Sequence, residues 1–252
     1  MLTVIRGCVL LSALSSCAGT LNTIPSTARA PQAAWEAATD SRTWIPAAAS
    51  AGFLILNADE TVSDWAQEHA PIFQTTSRAQ EKSDSLRTLA HRSMDLAILS
   101  NFYVYGNRPR SWQQVGLGYG AAISSTETAG GLKALVDRDR PHPVSGSPSW
   151  PSQHATRAFA YSASARESFG AAGLNNPLTD SVTLMGDIAA IGCAWARVEA
   201  GAHYPSDVLA GAALGNFAAI FLQRVFAPTD PVLSLSLNTQ QREYSMSFAW
   251  DF

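Results

Sequence analysis

Apolar residues recur at helical spacing through most of the chain, and the spacing predicts helices over 47–58, 61–68, 83–104, 111–134, 152–169, 180–197 and 205–225. These segments are rich in alanine, a strong helix former. In the third, Ser83 or Asp84 reads as the N-cap, with Leu86, Leu89, Met94, Ile98 and Leu99 as the apolar face. The period changes near the end of the chain. Leu233, Leu235 and Leu237 alternate with polar residues, as do Tyr244, Met246, Phe248 and Trp250, and a polar NTQQR segment joins the two runs. Period two predicts a C-terminal β-hairpin over 229–252, its apolar face packed on the helical body. Two strands cannot close a membrane barrel. The longest charge-free apolar stretch, Val208 to Gln223, has 16 residues, fewer than the roughly 18 that suggest a membrane span. The fold class expected is therefore all-α, a helical bundle followed by a β-hairpin.

The first 20 residues follow a different rule. Arg6 precedes an apolar run through Leu14, and small residues lead to Cys17, the layout of an export signal too short to span a bilayer. Leu14-Ser15-Ser16-Cys17 resembles the bacterial lipobox, in which the cysteine is acylated and becomes the mature N-terminus. That resemblance implies a signal peptide over 1–16, lipidation at Cys17 and, with Ala18 next, an outer-membrane destination in the bacterial periplasm. Cleavage by an ordinary signal peptidase is the alternative. Gly19 to about Gln32 is rich in Thr, Ser, Ala and Pro, so residues 17–34 read as a tether. With Cys8 removed and Cys17 acylated, Cys193 would be left alone, and no intramolecular disulfide could form.

At 252 residues and 46% hydrophobic, the chain can bury one substantial core, expected over 35–228. A net charge of −3 gives no global reason to expect nucleic acid as a partner, so any basic site must be local.

Three local clusters stand out. In KALVDRDRP, Lys133 and Arg140 are seven residues apart, two helical turns, so both cations share a face if the helix continues. In SWPSQHATRAF, Pro151 suits a first helical turn, which places Ser152, Gln153 and His154 where free backbone amides and the positive dipole end favour an anion. In ARVEAGAHYPSDV, Arg197 closes one helix and His203 stands at the entrance of the next. Asp207, four residues on, is in reach of one imidazole nitrogen. Each cluster alone has an ordinary structural explanation: a solvated basic face, a capping serine, a structural His–Asp pair.

Taken in order, K-x6-RP, PS-x-H and R-x5-H-x3-D resemble the signature of the type 2 phosphatidic acid phosphatase superfamily, PAP2, which includes bacterial class A acid phosphatases and vanadium haloperoxidases. The resemblance implies a PAP2-like helical bundle and a metal-independent phosphatase of phosphomonoesters or lipid phosphates. His203 would attack phosphorus to give a phosphohistidine, oriented by Asp207. His154 would protonate the departing alkoxide and then activate water. Lys133, Arg140, Ser152, Gln153 and Arg197 would surround the phosphoryl oxygens. No cofactor is implied, and vanadate would act as an inhibitor. Two positions depart from the pattern: Gln153 stands where the family has glycine, and Ala196 where it has serine. The alternatives are a vanadium-dependent haloperoxidase, in which vanadate is the cofactor on His203, a metallohydrolase using His154, His203 and Asp207, and a noncatalytic surface lipoprotein. The substrate, the oligomeric state and the role of the hairpin are open at this level.

Overall fold

The computed structural model describes residues 29–142 and 148–226, together with the backbone of 232–238 and 243–249. Eight α-helices occur among them: α1 (Arg29–Thr39), α2 (Ser41–Ile55), α3 (Asp59–His69), α4 (Thr76–Tyr105), α5 (Pro109–Val136), α6 (Gln153–Ala171), α7 (Pro177–Glu199) and α8 (Pro205–Phe226). The seven predicted helices correspond to α2 through α8. The signal segment, Cys17 and the tether as far as residue 28 lie outside the described residues.

α1 corrects the tether, which was expected to run to residue 34. Ala33 and Ala37, four residues apart, are both buried. Small residues thus give this segment an inner face that a scan for large apolar side chains passes over. The same blindness misplaced the start of α4. Its N-cap is Thr75, whose hydroxyl accepts from the Arg78 amide at 3.2 Å, and not Ser83 or Asp84. Ala79 and Ser83 are fully buried, so a polar-looking lead-in has a packed side of small residues. On the same helix Met94 and Ile98 lie in the core, whereas Leu99 is 62% exposed and Leu89 is also exposed.

α6 lies at the centre of the body, against α4, α5 and α7. α8 reaches it through glycines one turn apart. A Cβ on Gly211 would lie 2.6 Å from the Ser152 carbonyl oxygen, and one on Gly215 would overlap that of Thr156. The close approach lets the Ser152 amide donate to the Asp207 carbonyl at 3.0 Å, which ties the start of α6 to the start of α8.

α7 and α8 are long and apolar enough to cross a membrane by length and composition, with 44% and 50% of their most apolar stretches buried in the body. The 16-residue run read from the sequence therefore underestimates them, because a few charged positions do not outweigh the mean hydropathy. Leu184, Ile188 and Ile191 stand exposed along α7.

The chain divides into two units, Ala30–Val225 and the terminal segments. In the latter, the backbone of Val232–Asn238 pairs antiparallel with that of Glu243–Ala249, Leu235 opposite Met246. The side chains of these strands, and hence the expected packing of an apolar face on the helices, lie outside the described residues.

Candidate active site

The basic motif is not one helical face. α5 ends at Val136, and Asp137 takes a left-handed backbone (φ 47°, ψ 43°) that stops the helix. Lys133 is therefore in the last turn of α5, while Arg140 follows in irregular chain. The charge of Arg140 nevertheless acts on Lys133. Lys133 is buried and donates to the carbonyls of Pro148 and Ser149 at 2.5 and 2.8 Å, holding the approach to α6. Burial, then Arg140 and Arg197, bring its ammonium down to about 8, with Asp207 opposing.

Ser152 is the N-cap of α6, and Pro151 precedes the cap instead of starting the first turn. The Ser152 hydroxyl accepts from the Ala155 amide at 3.4 Å. Gln153 and His154 follow in the first turn, where amides have no carbonyl of the helix before them. The Gln153 side chain is laid back on α5. Its amide donates to the Thr126 carbonyl at 3.1 Å, over Gly130, where a Cβ would come within 3.0 Å of it.

Arg197, near the end of α7, is 5% exposed. Nη1 donates to Gln80 of α4 at 2.6 Å, and Nε is buried without a hydrogen-bond partner. Burial and then Arg140 lower the pKa of this guanidinium. A buried cation beside other cations, with an unused donor, is costly unless an anion completes the set.

His203 and Asp207 are both buried, with His203 Nδ1 3.6 Å from Asp207 Oδ2. That is ion-pair distance, longer than a hydrogen bond. The carboxylate is engaged elsewhere: Oδ1 accepts from Arg138 at 2.7 Å and Oδ2 from the Tyr204 amide at 2.8 Å. Burial brings the imidazole down to about 3, against the pull of Asp207 and reinforced by Arg197 and Lys133, so it is neutral at physiological pH. Burial alone would raise the Asp207 carboxyl. His203, Arg138 and the Tyr204 amide outweigh it and hold the group ionised.

Arg138 was missed by sequence reasoning. It stands two residues before Arg140, and the two arginines of DRDRP divide the work. Arg138 bridges Asp207 and Asp59, the latter at 2.8 Å, and its guanidinium lies 4.1 Å from the Tyr204 ring centroid. Asp59, at the start of α3, also accepts from the Ser206 amide at 2.9 Å. Nothing in the sequence around Asp59 announces a partner 79 residues away. Gln80 and Asp84 of α4 were missed as well, since their contacts with Arg197 and His154 cross 117 and 70 residues. Asp84 Oδ1 lies 3.3 Å from His154 Nε2.

His154 is half-buried. Burial, Arg197 and Arg87 bring it down to about 4, and Asp84 pulls the other way. Cys193 is buried, its thiol pushed up to about 12 by burial, which makes it an inert packing group.

The family model of the PAP2 superfamily matches residues 97–229, just over half of the chain. The chain belongs to the PAP2 superfamily. A PAP2 fold is also found by structural comparison. The crystal structure of a transmembrane PAP2 type phosphatidylglycerolphosphate phosphatase from Bacillus subtilis matches with a TM-score of 0.50 and 20% identity, over 72% of this chain and 90% of that one. No curated protein matches this sequence. Family membership supports phosphatase-type activity in general terms. All the PAP2 motif residues identified in the sequence lie in or beside the match, with α5, α6, α7 and α8 each contributing at least one. The two departures from the PAP2 pattern have local accounts: Gln153 lodges its side chain on α5, and Ala196 is fully buried beside Arg197.

Proposed function

We propose that this chain is a metal-independent phosphatase of phosphomonoesters or lipid phosphates that works through a phosphohistidine on His203. The observation that carries the reading is Arg197, buried with Nε lacking a hydrogen-bond partner and tied to the buried His203, whose amide donates to the Arg197 carbonyl at 3.2 Å. A buried guanidinium with a donor left unpaired calls for an anionic ligand.

In the first step the His203 lone pair forms a bond to phosphorus as the bond to the leaving oxygen breaks, and His154 gives that oxygen its proton. In the second, His154, now neutral, takes a proton from water, whose oxygen displaces His203 from phosphorus and releases inorganic phosphate. Asp207 stabilises the positive ring on the phosphohistidine, and Arg138 and the Tyr204 amide fix the carboxylate that does so. Lys133, Arg140, Arg197, the Ser152 hydroxyl and the Gln153 backbone amide receive the phosphoryl oxygens. His154 is protonated for its first task once a phosphate dianion lies beside it, because a neighbouring negative charge raises an imidazole pKa.

A lipid phosphate suits the surroundings. A groove of about 400 Å³ is lined by Leu54, Leu132, Trp150, Leu214 and Phe217. Leu132 adjoins Lys133 and Trp150 comes two residues before Ser152, so apolar wall and basic pocket share two chain segments. The exposed apolar residues of α7 and the length of α7 and α8 support association with a membrane. In this proposal Cys17 is lipidated, residues 1–16 are removed, and the body lies in the periplasm at the outer membrane.

The test is to trap the intermediate. Brief incubation with ³²P-labelled ester followed by denaturation in base should leave acid-labile phosphate on the wild type and none on His203→Ala. Vanadate should inhibit, and EDTA should not. Full inhibition by EDTA, or label retained by His203→Ala, overturns the mechanism. Phosphate release from a panel of lipid and soluble esters then fixes the substrate class.

A further inference from the structure

Gln80 and Asp84 lie one turn apart on α4, and each meets a different residue of the proposed pocket. Gln80 takes a hydrogen bond from Arg197, and the Asp84 carboxylate faces His154 Nε2 at 3.3 Å. The oxygen that faces His154, Asp84 Oδ1, also accepts from Arg87 Nη2 at 2.9 Å, so the carboxylate is held from its own helix as well. Because α4 begins at Thr76, Asp84 sits in its interior, where no free backbone amide claims the side chain. The Asp84 side chain is 54% exposed and that of His154 30%, which puts the pair toward solvent, while His203 and Asp207 are buried behind it.

We propose that Asp84 is a positioning residue for His154: it accepts a hydrogen bond from Nε2–H, sets the orientation and tautomer of the ring, and supports the imidazolium that proton transfer requires. The proposal rests on the reading of His154 as the general acid and base. With Nε2 directed to the carboxylate, Nδ1 is the nitrogen left to exchange a proton with the leaving group or water. The site then has two histidine–carboxylate pairs with opposite settings. Asp207 serves a buried nucleophile that must stay neutral until it attacks, and Asp84 serves a group near solvent that must gain and lose a proton each turnover.

The charged and titratable groups that face His154 are Asp84 and Arg87 from α4 and Arg197 from α7, with the Cys193 thiol of α7 4.0 Å from the His154 carbonyl oxygen. Burial and the two arginines disfavour the imidazolium, and Asp84 opposes them. Removing the Asp84 charge therefore lowers the pH at which His154 loses its proton. The limb of the profile on which activity falls as His154 deprotonates moves to lower pH.

The experiment compares Asp84→Asn, Asp84→Glu, His154→Ala and the double variant Asp84→Asn/His154→Ala, each with an alkyl phosphate and with p-nitrophenyl phosphate across pH. Asp84→Asn should cut kcat for the alkyl ester by about 10-fold, inside the range of general acid catalysis. It should cost much less with the nitrophenyl ester and move the alkaline limb down by about one unit. Asp84→Glu should restore part of both. In the His154→Ala background, Asp84→Asn should have no further effect. Equal losses for the two esters with an unmoved limb, or additive losses in the double variant, overturn the positioning role and leave His154 as the acid. If His154→Ala itself slows both esters equally, the assignment of His154 fails, and the role of Asp84 with it. The side chain of Asp84 is half exposed, so folding is checked by circular dichroism and not expected to change.

Discussion

Arg138 donates to Asp207 at 2.7 Å and to Asp59 at 2.8 Å, one guanidinium spanning two carboxylates from α8 and α3. The Asp207 side chain is fully buried and that of Asp59 is 6% exposed. Taking away the cation leaves two like charges in a desolvated place, the situation in which breaking an ion pair is expensive. Arg138→Gln should destabilise the protein by about 2–4 kcal/mol, lowering Tm by about 6–12 °C for a body of this size. Arg138→Lys should recover only part, because a single ammonium cannot match a planar fork placed between two acceptors. Thermal unfolding by circular dichroism measures both. An unchanged Tm in Arg138→Gln would mean that the bridge contributes nothing to the fold.

Acid should weaken the fold before it unfolds ordinary surface groups. His203 is brought down to about 3 and His154 to about 4, both mainly by burial. In the unfolded chain these histidines take up a proton near pH 6.5, which the folded protein refuses. Their contribution is fully present above about pH 6.5 and is lost as pH falls toward the folded values, by at most about 1.4 kcal/mol per pH unit for each histidine. Asp207, held ionised below its ordinary range, adds to the same trend below about pH 4. Urea midpoints should therefore fall steadily from pH 6.5 to 4. His203→Asn should flatten the slope, and an identical slope in that variant would show that His203 does not carry it.

Gly215 on α8 faces the backbone of α6, where an added methyl would overlap the Thr156 carbonyl and approach the Ala160 amide to 2.8 Å. Backbone cannot move aside as a flexible side chain can, so the helices must separate. Gly215→Ala should cost about 2–3 kcal/mol, at the upper end of overpacking effects. It should also lower activity, because the same separation loosens the bond from the Ser152 amide to Asp207. Gly52→Ala is the control, with no atom near its added methyl. It should leave Tm within about 2 °C or raise it, since alanine is the better helix former. Similar losses in the two variants would show that helix contact is not the cause.

These glycines also show where sequence reading stops. α2 through α8 were legible because apolar periodicity marks long helices, and the motif residues were legible because their types and spacings are unusual. The starts of α1 and α4 were not, since Ala33, Ala37, Ala79 and Ser83 make a packed face without large apolar side chains. Lys133 and Arg140 would share a face only if the helix continued, and the left-handed turn at Asp137 ends it between them. Asp59, Gln80 and Asp84 could not be assigned, because a contact across 70 or more residues is a property of the packed helices and leaves no local pattern.

Arg197 offers a test in which stability and binding should move in opposite directions. Its guanidinium is 5% exposed, Nε has no partner, and the Gln80 side chain supplies one neutral acceptor. Replacing an incompletely paired buried charge by an apolar side chain of similar length is often neutral or stabilising. Arg197→Met should therefore leave the Tm of the ligand-free protein unchanged or raised by about 2–6 °C, the equivalent of about 1–2 kcal/mol. Vanadate should tell the other half. At about 100 times its Kd it should stabilise the wild type by about 2.7 kcal/mol, because it binds only the folded site. In Arg197→Met that stabilisation should disappear, since the donors that receive a trigonal-bipyramidal oxyanion have lost their buried guanidinium. A stability cost kept in reserve for an anion is what a binding site has and a structural ion cluster lacks. The opposite result, a Tm several degrees lower with the vanadate shift intact, would make Arg197 a structural residue and move the phosphate pocket elsewhere.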